Sequence, residues 1–155
     1  MKDKGLLLVI SGFSGAGKGT VVKRLLEQHN DYALSISATT RSPREGEQDG
    51  REYFFKSKEE FEKMIEASEL IEYARYVDNY YGTPKAYVEE QLKEGKNVIL
   101  EIEIQGALNI KSMFPDAVLL FIMPPSAKEL ERRLVGRGTE DEAVSYTHLR
   151  AHETV

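Results

Sequence analysis

The stretch Leu6-Leu-Leu-Val-Ile10-Ser-Gly12-Phe-Ser14-Gly15-Ala16-Gly17-Lys18-Gly19-Thr20 decides the fold. An apolar run followed by a glycine-rich turn and then a helical pattern is the setting of a phosphate-binding loop. Gly12, Gly15 and Gly17 let the backbone curl until successive N–H groups converge. The helix that begins there turns its positive end to the same spot. Lys18 adds a full charge aimed at β- and γ-phosphates. An ordinary glycine-rich turn needs neither the strand before it nor the lysine within it, so residues 12–20 point to a nucleoside triphosphate. The general pattern places Ser or Thr directly after the lysine. Here Gly19 takes that position and Thr20 follows, which leaves Thr20 as a candidate metal ligand, directly or through water.

The chain has 155 residues, which suits one domain with a sizeable core. Hydrophobic residues make up 41% and charged residues 30%, an ordinary balance for a soluble globular protein. A net charge of −5 argues against broad nucleic-acid binding but leaves room for a local basic cluster that holds a small phosphate ligand. With no cysteine there is no disulfide framework, thiolate zinc site or thiol nucleophile. The first apolar run is too short for a membrane span and no cleavage site follows it, so the cytoplasm is the expected compartment.

Three continuous apolar runs, Leu6–Ser11, Val98–Ile104 and Ala117–Met123, read as parallel strands covered on both faces. Each is followed by a helical pattern. Val21, Val22, Leu25 and Leu26 share one face; Ala107, Leu108 and Ile110 form the second; Leu130 and Leu134 form the third. Ser126 and Glu129 make a capping box at the start of that third helix. The alternation gives an α/β fold with a parallel-sheet core and helices on both faces. Residues 32–83 interrupt it as a small α+β insertion. Within that insertion Tyr32–Ala38 and Glu52–Phe55 read as strands, Glu69–Tyr81 reads as a strand and turn rich in Tyr, and Ser57 with Glu60 opens a helix that faces Phe61, Met64 and Ile65 inward. Thr83-Pro84 starts the next helix, with Gly95 just past its end.

The insertion carries Ser37-Ala-Thr-Thr-Arg41-Ser-Pro-Arg44-Glu-Gly-Glu47 and later Tyr53. Arg41 and Arg44, close together around a proline, form a pair of guanidinium forks suited to a phosphate. Further on stand Ile71-Glu72-Tyr73 and Asn79-Tyr-Tyr81-Gly-Thr83. Glu101 and Glu103 lie in Leu100-Glu-Ile-Glu-Ile-Gln-Gly106, at a strand end where open α/β sheets place ligands. Arg132-Arg133-Leu-Val-Gly-Arg137-Gly-Thr-Glu140 ends a helix.

In this order the segments closely resemble guanylate kinase, from about Leu6 to Glu140. The resemblance implies transfer of the γ-phosphate of ATP to GMP, and to dGMP, with Mg²⁺. It implies a core of residues 1–31 and 84–127, a GMP-binding insertion of 32–83 and a partial lid of 128–142. By position, Gly12, Ser14, Gly15, Ala16, Gly17, Lys18, Gly19 and Thr20 would hold ATP. Arg41, Arg44, Tyr53 and Tyr81 would grip the GMP phosphate. Ser37, Glu72 and Thr83 would read guanine, whose adjacent N1–H and N2 donors suit one carboxylate and whose O6 suits a hydroxyl. Glu101 would lie near the metal and the GMP. Lys18, Arg41, Arg133 and Arg137 would stabilise charge on the transferring group. Arg132 reads as a solvated residue. His29, His148 and His152 have no metal-ligand spacing.

Phe13 stands where many members of that family have proline. Residues 143–155 depart from the pattern and read as an unrelated tail, so Arg150 does not stand in for a further lid arginine. A chain lacking the rest of the lid and the last core strand is expected to be weakly active or inactive. Two other readings compete. Guanylate-kinase-like binding modules typically have a degraded phosphate loop, whereas Gly17-Lys18 is intact here. Another nucleoside monophosphate kinase would share the loop but not the guanine-reading segment.

Overall fold

The computed structural model describes residues 3–13 and 15–137, the last by its backbone alone. In chain order its elements are β1 (Leu7–Gly12), α1 (Lys18–Gln28), β2 (Tyr32–Leu34), β3 (Ala38–Thr39), β4 (Phe54–Phe55), α2 (Lys58–Glu66), β5 (Leu70–Tyr76), β6 (Asn79–Pro84), α3 (Lys85–Lys93), β7 (Asn97–Glu101), α4 (Ile104–Met113), β8 (Val118–Ile122) and α5 (Ala127–Arg137). One sheet is parallel, in the order β2-β7-β1-β8. A second sheet, β4-β3-β6-β5, belongs to the insertion and is mixed.

Alternation along β1 builds the core on both faces. Leu7 and Val9 join Val98, Leu100, Val88, Leu92, Ala107 and Ile110, which places α3 and α4 on one side. Leu8 and Ile10 join Ile99 and Val22, which places α1 on the other. Ile71 of β5 enters the first cluster and ties the insertion to the core.

Four local expectations need correction. The strand expected over Tyr32–Ala38 is two strands. Tyr32–Leu34 pairs with β7 in the core sheet, and only Ala38–Thr39 joins the insertion, so the core claims the first residues of the 32–83 segment. The third apolar run is not covered on both faces. Among the described residues β8 pairs only with β1, and Val118 and Leu120 are exposed at 41% and 42%. Leu108 points outward while Ala107 and Ile110 are buried, because the inward stripe of α4 is narrow. Thr83 is not a helix cap. It lies in β6, and Pro84 occupies the cap position with no side-chain cap bond.

The capping box of α2 is complete. The Glu60 backbone N–H donates to Ser57 Oγ at 3.1 Å, and the Ser57 N–H donates to Glu60 Oε2 at 2.7 Å. At α5 only half of the box forms. Glu129 N–H donates to Ser126 Oγ at 3.1 Å, while the Glu129 carboxylate is taken by Arg132 and Arg133.

Phe61 of α2 is fully buried and stacks on Tyr80 of β6, with ring centroids 5.1 Å apart and planes 14° apart. That stack sets the height at which β6 presents Tyr81 and Thr83. Phe61→Ala should cost about 3–5 kcal/mol of folding stability. Equilibrium urea denaturation measures it, and a loss below about 1 kcal/mol would show that the stack is not what supports β6.

Candidate active site

The site starts where β1 ends. A Cβ on Gly12 would collide with the carbonyl oxygen of Ile122, so the chain can pass β8 here only as glycine. Gly17 has φ 106° and serves as the N-cap of α1, a left-handed conformation that glycine adopts without strain. Between them, Ala16 N–H donates to the Phe13 carbonyl at 3.0 Å and closes a tight turn. Gly15 packs beneath Leu130 and Leu134 of α5. Lys18 bends back over the loop, its ammonium donating to the carbonyls of Gly12 at 2.7 Å and Phe13 at 3.2 Å. Gly19 faces open space, where a side chain would fit. Thr20 is exposed on the first turn of α1. Ser14 lies outside the described residues.

Phe13 meets Phe121 of β8 edge to face, with centroids 5.4 Å apart and planes at 87°. This contact seats the loop on the sheet edge. The sequence offered no signal for it beyond an aromatic where proline is common.

Arg133 of α5 reaches the same loop. Its Nη1 donates to the Ala16 carbonyl at 3.2 Å and its Nε to Glu129 at 2.8 Å. Arg132 holds Glu129 from the solvent side. These two arginines hold the Glu129 carboxyl down to about 2. Arg137 ends the described part of α5; its side chain, the rest of the expected lid at 138–142 and the tail at 143–155 lie outside the described residues.

The second half of the site is built on β3, β5 and β6. β5 has a bulge: Leu70 pairs with Pro84 and Tyr73 with Gly82, so Ile71 and Glu72 together oppose Thr83. Bulges re-aim side chains. Here Ile71 goes to the core and Glu72 faces Thr83, whose buried hydroxyl donates to Glu72 Oε1 at 2.8 Å. Glu72 Oε2 lies 3.2 Å from where a Cβ on Gly106 of α4 would stand. Nothing in the sequence pattern marked Gly106 as a neighbour of that carboxylate. Ser37 sits next to β3, its carbonyl accepting from Phe54 N–H at 2.8 Å. Glu101 is exposed at the end of β7, and Glu103 is exposed at the start of α4, close enough to Glu72 to repel it.

Arg41 follows β3. Its Nη1 and Nη2 donate to the two Glu47 carboxylate oxygens at 2.9 and 3.0 Å, and Nη1 also donates to the Ser42 carbonyl at 2.9 Å. The guanidinium carbon lies 5.2 Å from the Tyr53 ring centroid and 5.9 Å from that of Phe55. Tyr53 in turn meets Tyr81 edge-on at 6.1 Å. The structure thus brings Arg41, Tyr53 and Tyr81 together. Arg44 is exposed, and its backbone N–H donates to Glu47 Oε1 at 2.8 Å. Sequence reasoning quoted Glu47 without a role.

Burial lifts the Glu72 carboxyl above its usual range; the Thr83 hydroxyl opposes the lift and the Glu103 charge adds to it. Glu47 goes the other way, held to about 2 chiefly by the Arg41 fork and the Arg44 N–H. The signs differ accordingly. Glu47 contributes stability that is present above the ordinary carboxylate pKa and is lost as pH falls toward about 2. Glu72 binds its proton more tightly in the folded state, so its ionisation costs stability at neutral pH and nothing once both states are protonated. Glu72→Gln should therefore raise the unfolding temperature at pH 7, and the gain should vanish below about pH 4. Calorimetric melts across that range test this. A gain that persists unchanged in acid would assign the effect to packing.

The chain is similar to known guanylate kinases. The guanylate kinase family model matches residues 4–154, a span that runs into the segment reading as an unrelated tail. A guanylate kinase of Clostridioides difficile strain 630 is 60% identical over 140 residues, covering 90% of this chain and 68% of that protein. One from Bacillus subtilis strain 168 is 53% identical over 152 residues, covering 97% and 74%. The crystal structure of guanylate kinase from Anaplasma phagocytophilum superposes with a TM-score of 0.70 at 35% identity, covering 98% of this chain and 76% of that one.

Proposed function

The chain belongs to the guanylate kinase family, and from that membership we propose that its site moves the γ-phosphoryl group of ATP onto the phosphate of GMP, giving ADP and GDP, with dGMP as a second acceptor. The observation that carries the reading is the Thr83 hydroxyl held 2.8 Å from the half-buried Glu72 carboxylate. A carboxylate in that position accepts from guanine N1–H and N2–H together, while the Ser37 hydroxyl, assigned by resemblance, serves O6. Adenine has an acceptor at N1, which would oppose the carboxylate lone pairs and leave both unpaired.

Phosphoryl transfer depends on alignment and on positive charge around the equatorial oxygens. Lys18 and the N–H groups of residues 12–20 bind the donor phosphates. Arg41, Arg44, Tyr53 and Tyr81 hold the acceptor phosphate in line with them. Arg133, whose guanidinium contacts the Gly-rich loop through the Ala16 carbonyl, adds positive charge at its rim, and Arg137 is assigned the same role by resemblance. Among the described residues no three His, Cys, Asp or Glu side chains cluster as a metal site. Mg²⁺ would be held by nucleotide phosphates and water, with Thr20 or Glu101 as its protein contact, directly or through water. When bound it shields phosphate charge. No helix among the described residues is long and apolar enough to cross a membrane, and the cytoplasm, where both nucleotides occur, is the proposed location.

Titration calorimetry should show GMP binding and no comparable AMP binding, with the preference collapsing in Glu72→Gln. Equal affinity for the two nucleotides in the parent chain would refute the guanine assignment. Lys18→Ala should lower GMP-dependent ADP formation by about 10²–10³-fold while the fold is kept. Turnover measured beside the parent decides it, and near-equal rates would remove Lys18 from the transfer step.

A further inference from the structure

We infer that Glu47 is a positioning residue: it grips one edge of the Arg41 guanidinium so that the other edge is presented to the acceptor phosphate. The inference rests on the proposal that Arg41 binds that phosphate. A guanidinium has two edges that can each form a bidentate pair. Glu47 occupies the end-on edge through Nη1 and Nη2 at 2.9 and 3.0 Å. The second Nη1 N–H goes to the Ser42 carbonyl at 2.9 Å. The side-on edge, Nε–H with the remaining Nη2 N–H, donates to no group among the described residues. A phosphate can therefore take a complete fork without displacing Glu47.

The same carboxylate fixes the neighbour. Glu47 Oε1 accepts the Arg44 backbone N–H at 2.8 Å, so one side chain sets the placement of both arginines relative to each other. The Tyr53 and Phe55 rings, 5.2 and 5.9 Å from the guanidinium carbon, limit its remaining rotation. The Arg41 and Glu47 side chains are only 16% and 17% exposed, so this is not a loose surface pair.

Two effects oppose each other when Glu47 is lost. Removing its negative charge favours a phosphate. Releasing the arginine obliges the ligand to order a rotamer-rich side chain on binding. Salt screens the first effect in part and leaves the ordering cost untouched, so ordering prevails. Gln at this position would also place an amide N–H against a guanidinium N–H.

The test compares GMP with guanosine by titration calorimetry at about 0.15 M salt, in which exposed charges are substantially screened. Glu47→Gln should weaken GMP binding about tenfold and leave guanosine binding unchanged. In the double variant with Arg41→Met, adding Glu47→Gln should weaken GMP binding by much less than tenfold, since only the Arg44 contact remains to be lost. Unchanged or tighter GMP binding in Glu47→Gln would overturn the inference, as would an equal loss for guanosine or additive losses in the double variant. Arg41→Met with normal GMP binding would refute the underlying reading instead, and the inference with it. Should Glu47→Gln not fold, Glu47→Asp keeps the charge but is one methylene too short to span Arg41 and the Arg44 N–H. It should show the same selective loss, and full GMP affinity in it would overturn the proposal.

Discussion

Everything in this molecule depends on β1 being held between two parallel neighbours. Leu7 to Ile10 pair with Val98 to Glu101 on one side, and Leu8 to Gly12 pair with Val118 to Ile122 on the other. A strand fixed on both edges and buried on both faces ends at a defined point in space. Its last residue passes so close to the Ile122 carbonyl that only glycine fits. The loop that follows inherits that position. Its N–H groups and Lys18 are aimed by the sheet, and the start of α1 adds its dipole to the same place. The position of the proposed phosphate site is thus a consequence of strand pairing more than of loop composition.

The insertion solves a different problem, which is to bring a charged carboxylate close to a protein core without neutralising it by an ion pair. The bulge opposite Thr83 divides two adjacent residues between two tasks: Ile71 anchors the sheet in the core, and Glu72 is turned toward a hydroxyl. A single hydroxyl does not fully compensate the lost hydration, so the carboxyl is lifted. A partner with two N–H donors would supply what is missing. The cost of holding Glu72 there is met elsewhere, by Phe61 against Tyr80 and by Ile71 among Val88, Leu92 and Ala107. Stability given up at a recognition site in this way is ordinary where the ligand restores it.

How much of this was legible follows from which signals are local. The apolar run with its glycine-rich turn, and the Ser57–Glu60 box, concern neighbours within a few residues, and both appear as read. The resemblance supplied the residues that converge in the insertion, but not how they are held. Glu47 closes its fork on an arginine six positions earlier, with no periodicity to betray it. The bulge at Ile71–Glu72 is a mismatch between two strands and does not exist in either alone. The division of Tyr32–Ala38 between two sheets depends on which strand Tyr32–Leu34 finds, and β7 lies more than sixty residues away. Burial on both faces, read from the apolar run at Ala117–Met123, fails because continuous apolar composition shows what a strand could bury, not whether a neighbour is present to bury it.

The two arginine-rich regions show the same design at different ranges. Arg133 is braced by Glu129 four residues earlier on one helix, and Arg41 by Glu47 across a turn. In each case a carboxylate and a backbone carbonyl together fix the guanidinium in one orientation. An unbraced arginine carries the same charge, but it must be ordered by the ligand each time one binds. Bracing moves that ordering into the folding of the protein, where it is done once. The charge lost to the brace is partly regained by geometry, since a fixed fork meets two oxygens together and a mobile one rarely does. On the proposed reading, phosphate recognition on this scaffold depends on how many guanidinium edges are both fixed and open, a number that the count of arginines in the sequence overstates.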